Sequence, residues 1–278
     1  MSIAIPGLPG NDRPIRPPLV MGILNLTPDS FSDGGLWTNP ATALDHALSM
    51  AAAGADILDL GGESTRPGAG PVSDDQELQR VVPLIDQIRA RVPTPISIDT
   101  SKPEVMREAV AAGASMINDV RGLRDEGALG AAAGLGVPVC LMHMLGEPRS
   151  MQTQPRYQDV VGEVESFLLD RARECESTGI PSGRIVLDPG FGFGKTLQHN
   201  IELFRAIPRL SGLGYPLLIG ISRKSMLGAI TGRAVGDRLA ASVAGAVLAA
   251  QAGASIVRVH DVPETVDALK FLAATGSQ

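Results

Sequence analysis

The chain has 278 residues, 44% hydrophobic but only 3% aromatic, with a formal net charge of −6 and two cysteines. It can bury a sizeable core, and that core must be Ala, Val, Ile and Leu, a palette suited to parallel strands covered by helices. The acidic balance argues against nucleic acid as the main partner, two cysteines make no disulfide framework, and no stretch is long and apolar enough to be expected in a membrane.

In chain order, residues 1–18 (MSIAIPGLPGNDRPIRPP) lack the charged and apolar regions of a signal peptide and are expected to be a flexible leader. One domain is expected over residues 19–275. It opens with the apolar run LVMGILNL near Asn25 and the polar loop TPDSFSDGG. The helix-period stretch ATALDHALSMAAA leads into AGADILDL (53–60), and SDDQELQRVVPLIDQIRARV leads into PISIDT at Asp99. AGASMIND (112–119), VPVCLMHM near His143, RIVLDPG at Asp188, PLLIGIS at Ser222 and AGASIVRV (252–259) complete eight strand candidates. Strict alternation of strand and helix implies parallel strands joined by right-handed crossovers, and eight such units predict a (β/α)8 TIM barrel. A doubly wound open sheet is the runner-up.

Three of these junctions resemble one another. In AGADILDL, AGASMIND and AGASIVRV a helical run ends at a glycine suited to the left-handed position past a helix, and a polar residue follows five positions later. Those residues are Asp59, Asn118 and Arg258. Asn25, Asp99, Asp188, Lys224 and His260 occupy comparable strand ends, while the strands themselves are nearly free of charge. A single buried carboxylate there reads as a structural group bonded to backbone; eight polar ends on the ligand-binding face of a barrel predict a site.

The stretch DPGFGFGKT (188–196) resembles a phosphate loop but fails both nucleotide patterns. Pro189 stands where a Walker A needs glycine, and Leu197 where the dinucleotide pattern needs its third. A tight loop at the barrel mouth is expected instead, with Phe191 and Phe193 as apolar or stacking elements and Lys195 as an anion contact. Lys224 after the seventh strand, Arg258-x-His260 on one side of the eighth, and Arg66 in GGESTRPG add cationic groups. That set suits a ligand with a donor-rich ring and a phosphate tail. Asn25 is an oxygen donor of the kind magnesium accepts beside phosphate and water. No His/Cys spacing suggests a transition-metal site; His46 and His199 read as surface or helix residues and His143 as a satisfied core histidine. Cys140 and Cys175 suit reduced thiols in a cytoplasmic protein.

The blocks GILNLTPDSFSDGG, GGESTRPG, SIDTSKP, IND, LMHM, DPGFGFGK, GISRKS and RVHDV, in this order, resemble the bacterial dihydropteroate synthase family from about residue 20 to about 272. The resemblance implies condensation of 6-hydroxymethyl-7,8-dihydropterin diphosphate with p-aminobenzoate, releasing pyrophosphate. It implies that Asp188, Asn118 and Asp99 hold the pterin ring, that Lys224 approaches it, and that Met142 packs on it. Arg258 and His260 would bind the diphosphate and Asn25 the magnesium. Thr65, Arg66, Pro67, Phe193, Lys224 and Ser222 would surround p-aminobenzoate, with Thr65 also at the pterin diphosphate. Asp29, Ser30, Phe31 and Asp33 would ride on a mobile loop, and the protein would be a homodimer. Asp99, Lys224, Arg258, His260 and Arg66 would carry catalysis. Two alternatives stay open: a pterin-binding methyltransferase barrel, which leaves the cationic diphosphate site and the two loops unexplained, and a non-catalytic pterin-binding barrel, whose expected mark, a broken Asn25, Arg66 or Lys224, is absent from this sequence.

Overall fold

The computed structural model describes residues 5–8, 18–27, 39–64, 70–146 and 151–275. Its strands are β1 (Leu19–Asn25), β2 (Ile57–Gly61), β3 (Ile96–Asp99), β4 (Met116–Asp119), β5 (Val139–Met142), β6 (Ile185–Asp188), β7 (Leu218–Ile219) and β8 (Ile256–Val259). The helices are α1 (Pro40–Ala52), α2 (Asp74–Arg89), α3 (Pro103–Ala111), α4 (Ala128–Leu135), α5 (Val160–Ser177), α6 (Leu197–Arg205), α7 (Ile207–Ser211), α8 (Ser225–Thr231), α9 (Leu239–Gln251) and α10 (Val262–Thr275). All strand pairs are parallel, in the order β6-β5-β4-β3-β2-β1-β8-β7. A parallel bridge between Leu187 and Leu217, with Leu187 N–H donating to the Pro216 carbonyl at 2.9 Å, links the two edges. The fold is the expected TIM barrel.

Local chemistry explains the punctuation. Asn39 caps α1 ahead of Pro40, and Ser73 with Gln76 forms a reciprocal capping box on α2. Gly54, Gly113 and Gly253, the glycines of the three similar junctions, all have positive φ (100°, 114° and 103°). Each lies two positions past the last residue of its helix, after an alanine C-cap, and turns the chain toward the next strand in a conformation an L side chain would strain.

Two apolar compartments flank the strands. The larger lies between sheet and helices. The smaller fills the barrel's interior with Met21, Ile57, Met116, Cys140, Val186, Leu218 and Ile256, joined by Ile5 from the segment expected to be a leader. Because alternate strand residues share a face, the residue two positions on from each of several floor residues also faces inward. Ile57, Met116, Cys140, Val186 and Ile256 thus lead to Asp59, Asn118, Met142, Asp188 and Arg258. An apolar floor beneath a polar layer is how this sequence builds a cup. Among the described residues, no helix is long and apolar enough to cross a membrane.

Candidate functional site

Arg258 is the hub of the polar layer. Its Nε donates to Asp59 Oδ2 at 2.6 Å and its Nη2 to Asp99 Oδ2 at 2.8 Å. Asn118 Nδ2 reaches Asp59 at 3.3 Å, which leaves its amide oxygen free of this contact. Asp59 is fully buried, a position an ionised carboxylate tolerates only with paired, hydrogen-bonded neighbours. Two carboxyl groups share one guanidinium. Burial pushes the Asp99 carboxyl up to about 8, against the attraction of Arg258 and with the repulsion of Asp59.

Asp188 and Lys224 form the second centre. Asp188 Oδ1 accepts the Gly190 N–H at 2.7 Å. Burial raises its pKa, opposed first by the charge of Lys224 and then by that hydrogen bond. Lys224 donates to the Phe191 carbonyl and lies 4.6 Å over the Phe193 ring, a cation–π contact. Burial lowers Lys224 to about 8, with Asp188 pulling the other way. Between the centres, Met142 is buried against Phe193's cluster. Ser222 Oγ accepts from the His260 backbone N–H at 3.2 Å and meets its Nδ1 at 3.0 Å. Arg223 stands between Ser222 and Lys224 with φ 57° and turns to Asp261. This left-handed residue separates the directions of its two neighbours.

Asn25 and Asp99 approach each other over Gly61. A Cβ built there would lie 3.5 Å from Asn25 Oδ1 and 3.7 Å from Asp99 Oδ2. Both oxygens thus border Gly61 at the end of β2, and Asp99 Oδ2 is the one that accepts from Arg258 Nη2. Among the described residues, no group of three or more His, Cys, Asp or Glu side chains could hold a metal ion.

The glycine loop after β6 differs from its expected use. Gly190, Gly192 and Gly194 all have positive φ (68°, 81° and 64°), but Lys195 is only 3% exposed. Its Nζ contacts His143 Nδ1 at 2.9 Å and the carbonyls of Gly190 at 2.9 Å and Phe193 at 3.1 Å. The expected anion contact is thus corrected: Lys195 spends its protons inside the protein. Phe191 is fully buried beside Phe204, leaving Phe193 as the ring at the mouth. His143 is the satisfied core histidine expected, held neutral because burial and Lys195 lower it to about 2.

Of the sequence-predicted residues, Asn25, Asp99, Asn118, Met142, Asp188, Phe193, Ser222, Lys224, Arg258 and His260 lie at or just beyond the carboxyl ends of the strands. Asp29, Ser30, Phe31, Asp33, Thr65, Arg66 and Pro67 lie outside the described residues. Sequence reasoning missed a cation node beside the site. Lys102 Nζ donates to Glu63 at 2.8 Å, the fully buried Glu77 at 2.7 Å and the Val72 carbonyl at 2.7 Å, gripping both sides of the β2–α2 connection. Glu77 sits in the charged run SDDQELQR, which gives no hint of burial. The burial shows only in the structure, where a Cβ at Gly62 would meet Glu77 Cγ at 2.8 Å.

The pterin binding enzyme family matches residues 21–260. Dihydropteroate synthase of Escherichia coli K12 is 51% identical over 268 residues, covering 96% of this chain and 95% of that one. The Yersinia pestis dihydropteroate synthase, solved in a sulfonamide drug complex, superposes with a TM-score of 0.94 at 48% identity over 100% of both chains. The Xanthomonas albilineans enzyme with 7,8-dihydropteroate gives a TM-score of 0.85 at 50% identity, covering 94% of this chain and 95% of that one.

Proposed function

The chain belongs to the pterin-binding enzyme family, and from that membership we propose how its residues divide the work of a dihydropteroate synthase. It is a transferase that condenses 6-hydroxymethyl-7,8-dihydropterin diphosphate with p-aminobenzoate, giving 7,8-dihydropteroate and pyrophosphate. The observation that carries the residue assignment is the pairing of a carboxylate-rich centre around Arg258 with the Asp188–Lys224 centre in one barrel mouth.

Asp188 accepts the paired N–H groups of the pterin's aminopyrimidine edge, while Asn118 and Asp99 hold the other ring nitrogens and Met142 packs on the ring. Lys224 approaches the ring's oxygen side. Arg258 and His260 bind the diphosphate, and Thr65 and Arg66, with Pro67, Phe193, Ser222 and Lys224, surround p-aminobenzoate. Asn25, at the carboxyl end of β1, would hold magnesium through its amide oxygen, a hard donor of the kind that ion accepts beside phosphate and water. Bound there, the ion supplies neutralisation of the departing diphosphate.

The bond from the pterin methylene carbon to the diphosphate oxygen breaks, and the electron pair leaves with pyrophosphate. Asp99 stabilises the positive charge left on the ring, and Arg258 and His260 stabilise the leaving anion. The arylamine nitrogen then forms the new carbon–nitrogen bond and gives up a proton. These groups are charge stabilisers, so the reading is a dissociative displacement without a covalent enzyme intermediate; isolation of pterin bound to a side chain would sink it. Cytoplasmic location and homodimer formation belong to the same reading, supported by two buried free cysteines and an apolar outer face on α9.

The assay is pyrophosphate release with both substrates varied. Release must require p-aminobenzoate, and sulfonamides must raise its KM without changing kcat. Inhibition independent of p-aminobenzoate concentration would contradict the assigned half-site.

A further inference from the structure

Lys195 takes no part in the reaction just described, yet it is among the most buried charged residues of the chain. The loop around it has an unusual bonding pattern. Five successive carbonyls, from residue 190 to residue 194, each accept from a side chain: Gly190 and Phe193 from Lys195, Phe191 from Lys224, Gly192 from Gln152 and Gly194 from Tyr157. A phosphate-binding loop turns N–H groups toward its ligand. Here the Gly190 and Gly192 N–H groups are taken by Asp188 and Asn200, both at 2.7 Å. The loop therefore presents oxygens to side-chain donors, three of them to lysines and two to the neutral Gln152 and Tyr157.

The loop after β6 also packs backbone to backbone on the segment after β5. A Cβ at Gly190 would sit 1.9 Å from the His143 carbonyl oxygen, and one at Gly194 would sit 2.6 Å from that of Leu145. Carbonyl oxygens crowd at this seam, and Lys195 Nζ lies among them, 3.3 Å from the His143 carbonyl oxygen and 2.9 Å from the His143 ring nitrogen Nδ1. Nζ donates to carbonyls on both sides of the seam, so one amino group ties two loops. Without it, buried carbonyls lose their donor and the loop gains by turning outward to water.

We propose that Lys195 is a positioning residue for the arylamine half-site: by clamping the Gly190 and Phe193 carbonyls against His143, it holds the Phe193 ring beneath Lys224. The inference rests on the functional reading above, which puts p-aminobenzoate beside Phe193 and Lys224. It assigns a role to the lysine of the DPGFGFGK block without contact to either substrate. Asp188 is also anchored by its place in β6 and by the Lys224 charge, so the pterin half-site depends less on the clamp.

The test is a double-mutant cycle on pyrophosphate release, with pterin diphosphate affinity measured separately by calorimetry. Lys195→Met should raise KM for p-aminobenzoate ~10-fold or more, while pterin diphosphate Kd moves less than ~3-fold. Phe193→Ala should raise the same KM, and the double variant should be no worse than Phe193→Ala alone, because both changes remove one ring position. Lys195→Gln keeps an amide donor for the carbonyls and should recover part of the loss; it also serves if Lys195→Met does not fold. Multiplicative effects in the cycle, or equal losses in both substrates, would reduce Lys195 to a fold-stabilising role and overturn the proposal. Failure of the unmutated protein to release pyrophosphate in response to p-aminobenzoate would instead strike the functional reading.

Discussion

Asp99 and Lys224 reach nearly the same acidity from opposite directions. Burial lifts the carboxyl to about 8 and drops the ammonium to about 8, because loss of water disfavours whichever form is charged. The free protein therefore carries both charges most fully near pH 8. Below that, Asp99 gains a proton and can no longer stabilise a cationic ring; above it, Lys224 loses its proton and its charge. The profile of kcat/KM for pterin diphosphate, which reports the free enzyme, should be bell-shaped with a maximum near pH 8. Asp99→Asn should remove the acidic limb while lowering the rate; an unchanged acidic limb in that variant would separate Asp99 from it. Asp188→Asn tests the other acceptor. Replacing one carboxylate oxygen by a donor should weaken pterin diphosphate binding by ~2–5 kcal/mol, as for truncating a buried charged hydrogen bond, and calorimetry showing unchanged affinity would remove Asp188 from the pterin edge.

At the scale of elements, the three AGA junctions were the most legible feature. A glycine, a short apolar run and a polar residue at a fixed offset state a helix end, a strand and an inward side chain, and all three glycines carry the expected positive φ. The glycine loop was half legible. Its spacing excluded a nucleotide loop, but spacing does not tell whether a lysine faces water or carbonyls, so Lys195 was expected on the wrong side. PLLIGIS supplied a strand of only Leu218–Ile219, since β7 meets β6 through a single bridge and Arg223 turns the chain soon after. These distinctions between glycines are measurable. Gly190→Ala must place a methyl against the His143 carbonyl in a left-handed backbone and should destabilise by ~3 kcal/mol or more. Gly130→Ala, inside α4 with nothing within 4 Å of the new methyl, should stabilise by ~0.5–1 kcal/mol. Chemical denaturation of both variants decides; equal midpoints would mean that backbone geometry at Gly190 is not limiting.

On the scale of the whole molecule, barrel closure does what no local motif specifies: it brings Arg258 onto Asp59 across 199 positions of sequence. The count of eight strand–helix units implied closure, but the choice of Asp59 and Asp99 as joint partners depends on which inner-face residues share a level. The outer surface poses the corresponding question for assembly. In α9 the buried residues Ser242, Gly245, Ala246 and Ala249 face the barrel, while Ala240, Ala244 and Leu248 are exposed at helical spacing on the other side. Leu248 is 53% exposed, and Ile230 of α8 and Phe271 of α10 are exposed as well. Small residues let a second helix approach closely, and a two-fold axis would use the same face from both chains. If homodimers form through α9, Leu248→Glu introduces a carboxylate on each side of the contact and should weaken association by ~3 kcal/mol, a factor of ~100 in affinity. Sedimentation velocity across a dilution series should then show the unmutated protein as a dimer at concentrations where the variant is a monomer. Identical distributions for the two proteins would exclude α9 from the interface and leave its outer face as ordinary surface.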